Sequence, residues 1–319
     1  MIWRIKLISQ KALRQCNLED VLFAYNLHRG NLEPVNKFIN KEELYNILNN
    51  YSFNNQTYSL PYLLFSEEKY ETDTIVSFLY NNQQSFSVQV EDCYTIDKTE
   101  VASLIFGTTD LDHPGVKKLF DSAEYVIAGK ILDFNENCVD VPYCQNTEVH
   151  DVVFQSRNPP HKAHEFIVTS FAPNLTYSTP FSTTKKTDYS FDKKIKTFEE
   201  IARRYGTDVY VTTLPRVFAG PREALQNCLI FQNKGAKKLV MGRGKNCVGD
   251  FYSETSSYEL CRSFYDNGKI KIEPVWQDTI YVDHVEIKGS TIKTQYIDKG
   301  LQPPEHFMSN YISEILLNE

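Results

Sequence analysis

The chain has 319 residues, 41% of them apolar and 24% charged, with a formal net charge of −7. That balance fits a soluble globular protein of two domains, or of one domain with a sizeable appendage, and supplies no global positive field to draw it to nucleic acid or an anionic membrane. A local basic pocket for an anionic small molecule remains compatible with it.

The N-terminal stretch Met1-Ile-Trp-Arg-Ile-Lys-Leu7 runs into mixed polar sequence without an apolar core or small-residue cleavage site, so no secretory signal is expected. No run of about 18 apolar residues suggests a membrane span. The seven cysteines, Cys16, Cys93, Cys138, Cys144, Cys228, Cys247 and Cys261, form no C-x-x-C pair. An odd, scattered set reads as reduced thiols in a cytoplasmic protein, not as a disulfide framework or a zinc site.

In chain order, helices are predicted near 41–49 and 98–106, with short apolar runs at 62–65, 77–80 and 86–90 between polar turns. The period-two placement of Phe86, Val88 and Val90 favours a half-buried strand. This half reads as α+β with a β-rich centre and carries no legible function of its own. From Val152 the pattern alternates: strand 152–155, helix 161–171, helix 194–205 ending at Gly206, strand 208–213, helix 222–234, strand 238–241 and strand 270–275. Strands alternating with helices predict a parallel sheet with right-handed crossovers.

Three polar, arginine-bearing loops follow predicted strands directly: Gln155-Ser-Arg-Asn158, Pro215-Arg-Val-Phe-Ala-Gly-Pro-Arg222 and Gly242-Arg-Gly-Lys-Asn246. Ligands of open parallel sheets sit outside the carboxyl ends of the strands, so these loops mark the expected active-site edge. In the first, Arg157 suits a tetrahedral oxyanion, and Gln155 and Asn158 carry amide donors. Pro159-Pro160 lead into a helix whose free N–H groups face the same place. His161 and His164, three apart, share the face of its first turn, where imidazoles could stabilise charge on nucleotide phosphates. A metal-binding pair is the rival functional reading, without the usual spacing or a third ligand; a plain strand–helix junction is the structural one. In the second loop, Gly220 permits close backbone approach and Arg222 could reach phosphate, or simply start a helix with a solvated Arg–Glu pair. The third loop supplies Gly242, Arg243 and Lys245 but resembles many surface turns. Lys185, Lys186 and Asp188 read as a solvated loop or as a lid over a polyanion.

The segment Gln155-Ser-Arg-Asn-Pro-Pro-His-Lys-Ala-His-Glu165 resembles the Q-x-R-N-P-x-H-x-x-H-E motif of the ATP sulfurylase (sulfate adenylyltransferase) family, and Ala219-Gly-Pro-Arg-Glu-Ala224 is similar to its A-G-P-R-E-A motif. The segments 91–94, 106–115 and 300–308 also look like parts of that family. The resemblance implies a PUA-like α+β N-terminal domain over 1–146, a Rossmann-like parallel-sheet nucleotidyltransferase domain over 147–275 and a small subdomain over 276–319. It implies in-line attack of sulfate on the α-phosphorus of MgATP, giving adenosine 5′-phosphosulfate and pyrophosphate without a covalent intermediate. Gln155 and Arg157 would hold the sulfate; His161, His164, Arg157 and Asn158 would serve catalysis; Asn158, Gly220, Arg222, Gly242, Arg243 and Lys245 would bind nucleotide. Magnesium would arrive with the triphosphate rather than on a protein ligand set, and a homo-oligomer would be in keeping with the family.

The chain also departs from the pattern. The family's G-R-D-H-A stands here as Gly242-Arg-Gly-Lys-Asn246, without the Asp and His, and Lys293 takes the place of an Arg near the C-terminus. These departures motivate two alternatives: a nucleotidyltransferase using another nucleotide or another oxyanion acceptor, such as a phosphate ester or phosphonate, and a catalytically silent regulatory relative.

Overall fold

The computed structural model describes residues 11–145, 148–181, 189–282 and 284–318. Two compact units emerge. One holds the described residues of Met1–Asp140 with Val217–Gln226 and Val248–Phe251; the other holds those of Val141–Arg216, Asn227–Cys247 and Tyr252–Glu319.

The first unit runs β1 (Lys11–Gln15), α1 (Leu18–His28), α2 (Lys41–Asn50), a small hairpin of β2 (Ser52–Phe53) and β3 (Gln56–Thr57), β4 (Leu64–Ser66), β5 (Ile75–Tyr80), β6 (Gln83–Thr95), α3 (Lys98–Phe106), α4 (Pro114–Phe120) and β7 (Tyr125–Phe134). Its sheet has the order β1-β5-β6-β7-β4, with β1 parallel to β5 and the other pairs antiparallel. Phe86, Val88 and Val90 are fully buried as their alternation requires, and Phe86 stacks on Phe78 at 4.5 Å. Ser85 and Ser87 on the opposite face are buried too, so β6 is covered on both sides here, not half-buried. The bulge between Val90 and Asp92 is accommodated opposite Gly129, where a Cβ would lie 2.0 Å from the Gln89 carbonyl oxygen.

Two predicted helices form at the expected places because their caps are written locally. Asn40 and Glu43 close a capping box on α2, and Asp97 accepts from Thr99 and Glu100 to start α3. Helix α1 escaped the periodicity argument. Its residues Val21 to Leu27 are all buried, leaving no polar stripe to reveal the 3.6-residue repeat. The capping box Asn17/Asp20 was its legible signal.

The second unit opens with β8 (Val152–Gln155), α5 (Lys162–Phe171), β9 (Leu175–Pro180), α6 (Phe191–Tyr205) and β10 (Asp208–Thr212). It continues with the second half of α7 (Pro221–Asn233), β11 (Lys238–Gly242), α8 (Ser256–Asp266) and β12 (Glu273–Gln277). A short hairpin of β13 (Tyr281–Val282) and β14 (Val285–Glu286), α9 (Gly289–Gln295) and α10 (Asn310–Leu317) complete it. The sheet is wholly parallel, in the order β10-β9-β8-β11-β12. The α/β parallel-sheet expectation therefore holds. Strand β9 was not predicted: Leu-Thr-Tyr-Ser-Thr-Pro looks polar, yet its first five residues are buried between neighbouring strands. The final strand lies at Glu273–Gln277, three residues beyond the predicted start, with Ile270 and Ile272 buried ahead of it. Helix α6 begins a turn earlier than its apolar face suggested because Ser190 caps it, and it ends at Gly206 in the left-handed region as expected.

Chain order moves outward from β8 through β9 to β10, then crosses to β11 and β12 on the other side. The switch point of the sheet thus lies between β8 and β11, where the following loops diverge and leave a crevice. Among the described residues, no helix is long and apolar enough to cross a membrane.

Candidate active site

Gln155 is the last residue of β8, and Lys245 stands in the loop after β11, so the two flank the switch point. Lys245 Nζ donates to the Gln155 side-chain Oε1 at 2.8 Å and to its carbonyl oxygen at 3.2 Å. Asn227 on α7 also approaches that Oε1 (3.4 Å), and Gln155 Nε2 donates to Thr212 Oγ1 at 3.2 Å. An ammonium on one end of the amide and a hydroxyl on the other set its orientation. The Lys245 carbonyl accepts from Ser257 of α8, and Asn227 reaches Asn246 at 3.3 Å, which holds the loop to two helices.

After Gln155 the chain turns on itself: Ser156 Oγ accepts from the Asn158 N–H and donates to the Asn158 carbonyl. Arg157 is exposed and Asn158 half-buried. Helix α5 then starts with His161 as a cap residue that makes no side-chain capping bond. The His161 and His164 rings stack at 3.8 Å, so the shared face read from their spacing is real. His164 lies between Ser156 Oγ (3.5 Å from Nε2) and the Tyr177 hydroxyl of β9 (3.2 Å from Nδ1). A hydroxyl proton given to Nδ1 leaves the ring proton on Nε2, facing Ser156. Gly289, at the start of α9, packs so closely that a Cβ there would meet Asn158 Nδ2 at 3.0 Å and the His161 ring at 3.4 Å.

Burial dominates the electrostatics. It pushes the His161 pKa down to about 4, opposed by the Glu165 carboxylate, and holds His164 well below the usual imidazole range, with His161 adding to the effect. His164 keeps one edge toward solvent, but its ring sits deep among Phe154, Tyr177 and His161. Both imidazoles are therefore neutral at pH 7, donors rather than cations. This carries a stability consequence. Between about 4 and the ordinary value of 6.5, the unfolded chain binds more protons at His161 than the folded one. Stability therefore falls as pH drops through that window, by ~3 kcal/mol from this group at its lower end. Urea midpoints at pH 7, 5.5 and 4 should show a steeper acid loss in the wild type than in His161→Asn; equal losses would refute the buried-imidazole assignment.

The other predicted residues are placed differently. Arg243 is engaged by Glu286 and by Glu254 at 3.4 Å. Gly242 ends β11, and Gly244 precedes Lys245 in the loop that follows. Gly220 and Arg222 fall in the first unit. The Arg222 guanidinium is buried, donates to the carbonyls of Ile47, Leu48 and Ser59, and lies 4.0 Å from the Tyr51 ring. Arg222, expected at the nucleotide, thus secures the end of α2 in this structure, and phosphate recognition by it would require breaking those bonds. Lys185, Lys186 and Asp188 lie outside the described residues. Among those that are described, no group of three or more His, Cys, Asp or Glu side chains is arranged to hold a metal, and all seven cysteines are free thiols.

The family model described as ATP-sulfurylase matches residues 143–319, and a PUA-like domain model matches residues 6–136. The chain belongs to the ATP-sulfurylase family. It is accordingly a nucleotidyltransferase, in a family whose named activity is sulfate adenylyl transfer. A sulfate adenylyltransferase of Thermococcus onnurineus is 28% identical over 91% of this chain and 86% of its own length, and one of Pyrococcus abyssi is 27% identical with the same coverage. A third, from Persephonella marina, is 26% identical over 90% of this chain and 86% of its own. Among solved structures, a hexameric APS kinase from Thiobacillus denitrificans superposes with a TM-score of 0.69 at 13% identity, a likeness of fold. It covers 97% of this chain, which spans 63% of that one.

Within this candidate site, spacing pointed to Gln155, Asn158, His161 and His164. It missed Thr212, Asn227 and Tyr177, which hold Gln155 and His164 in place. Those partners come from β10, α7 and β9, and no local pattern links them to the motif. A polar residue at the carboxyl end of a strand, as Thr212 is, was the one available hint.

Proposed function

We propose that this member of the family transfers the adenylyl group of MgATP to sulfate, releasing pyrophosphate and forming adenosine 5′-phosphosulfate. The observation that carries the reading is the pairing, at the switch point, of a lysine-anchored Gln155 with two neutral imidazoles at the start of α5. Sulfate is a weak nucleophile and needs position more than activation. Arg157 and the second Gln155 N–H hold it while one of its oxygens attacks the α-phosphorus in line and pyrophosphate departs. His161, His164 and the free N–H groups of α5 take the charge that builds on the phosphates, and Asn158, Gly242 and Arg243 contact the nucleotide. Magnesium enters with ATP. No side chain is called on as a covalent nucleophile. Removal of pyrophosphate draws the reaction toward synthesis, and self-association into a homo-oligomer is part of the same reading.

Lys245 favours one second reading. Its ammonium, standing where the family pattern has an oriented imidazole, adds a fixed charge beside the acceptor, as a phosphate ester or phosphonate would demand. One assay tests both: the protein with Mg²⁺, pyrophosphatase and each nucleoside triphosphate, against sulfate, phosphate-ester and phosphonate acceptors. Adenosine 5′-phosphosulfate from ATP and sulfate is expected; turnover only with another base or acceptor overturns the reading. Lys245→Met should raise KM for sulfate ~10- to 100-fold, the worth of one charged hydrogen bond, with a smaller effect on KM for ATP. A change confined to ATP would move Lys245 to the nucleotide side.

A further inference from the structure

One turn into α5, Glu165 is buried, and its two oxygens differ sharply. Oε2 accepts from the Tyr311 hydroxyl at 2.7 Å and the Tyr205 hydroxyl at 3.0 Å, with Lys162 Nζ at 3.7 Å. Oε1 is buried without a hydrogen-bond partner among the described residues, and so is His161 Nδ1. The two residues are joined by the Glu165 N–H to His161 carbonyl bond across the cap of α5, and the Glu165 carboxylate acts on the His161 ring, so the orphan acceptor and the orphan nitrogen belong to neighbouring side chains. Leaving both unpaired costs free energy of order 1–3 kcal/mol each, a cost that stable structures rarely carry without use.

We propose that Glu165 is a positioning residue for protonation of His161: when the nucleotide phosphates bind, His161 takes one proton from bulk water, gives Nδ1–H to Glu165 Oε1 and turns a charged Nε2–H to a phosphate oxygen. The inference rests on the phosphate-facing role proposed for His161. In the ligand-free protein burial keeps the imidazole neutral. An incoming polyanion and the Glu165 carboxylate, one on each side of the ring, together make the imidazolium the stable form. The proton returns to water when the products leave. Only one of the stacked rings carries it, because two cations 3.8 Å apart repel; Glu165 assigns it to His161.

The other titratable and charged groups around the pair do not supply this function. Lys162 is spent on Ser309 and the far side of Glu165. Tyr205 and Tyr311 have their hydroxyl pKa values raised by burial and remain protonated donors, and Arg204 lies over the Tyr311 ring at 3.7 Å. At the start of α9, Lys288 is paired with Glu286 at 2.8 Å, and Lys293 of that helix with Asp298.

The test is calorimetric. Binding of Mg²⁺ with α,β-methylene-ATP at pH 7, titrated in buffers of different ionisation enthalpy, gives the number of protons exchanged. The full-length wild type should take up close to one proton more than Glu165→Gln, whose amide oxygen still accepts from both tyrosines. Tyr311→Phe, which touches only Oε2, should keep the wild-type uptake even if it melts earlier. Equal uptake in the wild type and Glu165→Gln, or equal loss in Tyr311→Phe, overturns the proposal. A separate readout guards the reading beneath it: if His161→Ala turns over like the wild type, the phosphate role of His161 fails, whereas a dead His161→Ala with unchanged proton counts condemns only the Glu165 inference.

Discussion

Replacing Arg222 by methionine should destabilise the protein by ~3–5 kcal/mol, the range found when one partner of a buried charged network is removed. The expectation follows from what the guanidinium does. Helix α2 ends at Asn50; of its last-turn carbonyls Ile47 accepts from the Tyr51 N–H at 3.0 Å, while the later ones run out of intrahelical donors. Arg222 supplies donors to two of them, Ile47 and Leu48, and a third to Ser59, while its plane covers the Tyr51 ring. A cation at a helix C-terminus also opposes the macrodipole. Methionine fills the volume and returns none of these donors, so the buried Leu48 and Ser59 carbonyls lose theirs, while Ile47 keeps the Tyr51 N–H. Burial lowers the Arg222 pKa, but from so high a value that the charge persists across the working pH range. Lysine should recover only part of the loss, since one ammonium cannot span carbonyls that a planar fork reaches together. Urea or guanidinium unfolding measures all three proteins. A loss under about 1 kcal/mol for methionine would show that water takes over the carbonyls and that the network is dispensable.

His164→Ala should lower kcat for adenylyl transfer by ~10²- to 10³-fold, or ~2.7–4 kcal/mol, as for loss of one preorganised donor to a developing charge. Its ring is held on three sides, by Tyr177, by Ser156 and by the stacked His161, so it is already in place when charge develops. Binding of ATP should change much less than turnover, because the interaction strengthens only as charge moves onto the phosphates. His164→Asn keeps an amide donor and should fall between the two. Stability of each variant, measured in parallel, separates catalysis from the hole left against Phe154 and Tyr177. A rate within a few-fold of wild type for the alanine variant would place the chemistry on another loop.

Much of this site was legible in the residues themselves. Gln155, Asn158, His161 and His164 fall on one strand end and one helix start, so strand period, the two prolines and a three-residue spacing suffice to bring them together. The family motif spans the same residues and Glu165. What could not be read was the fate of the flanking charges. Arg222 and Arg243 look alike in sequence, each in a glycine-bearing loop after a strand; one meets helix-end carbonyls, the other two glutamates. Nor could the Lys245 to Gln155 bond be read from the loop sequence.

The chain by itself therefore determined the kind of protein this is: a parallel α/β sheet with a polar turn at a strand end and a pair of imidazoles at the following helix start. Those features arise within a few residues, from local geometry and hydrogen-bonding capacity. Only the tertiary structure decided which charges are available to a ligand, which are spent on the fold, and that both histidines are neutral at rest. Each of those outcomes depends on the partners and burial supplied by segments far away in the chain, and electrostatic energies change most where distant segments exclude water.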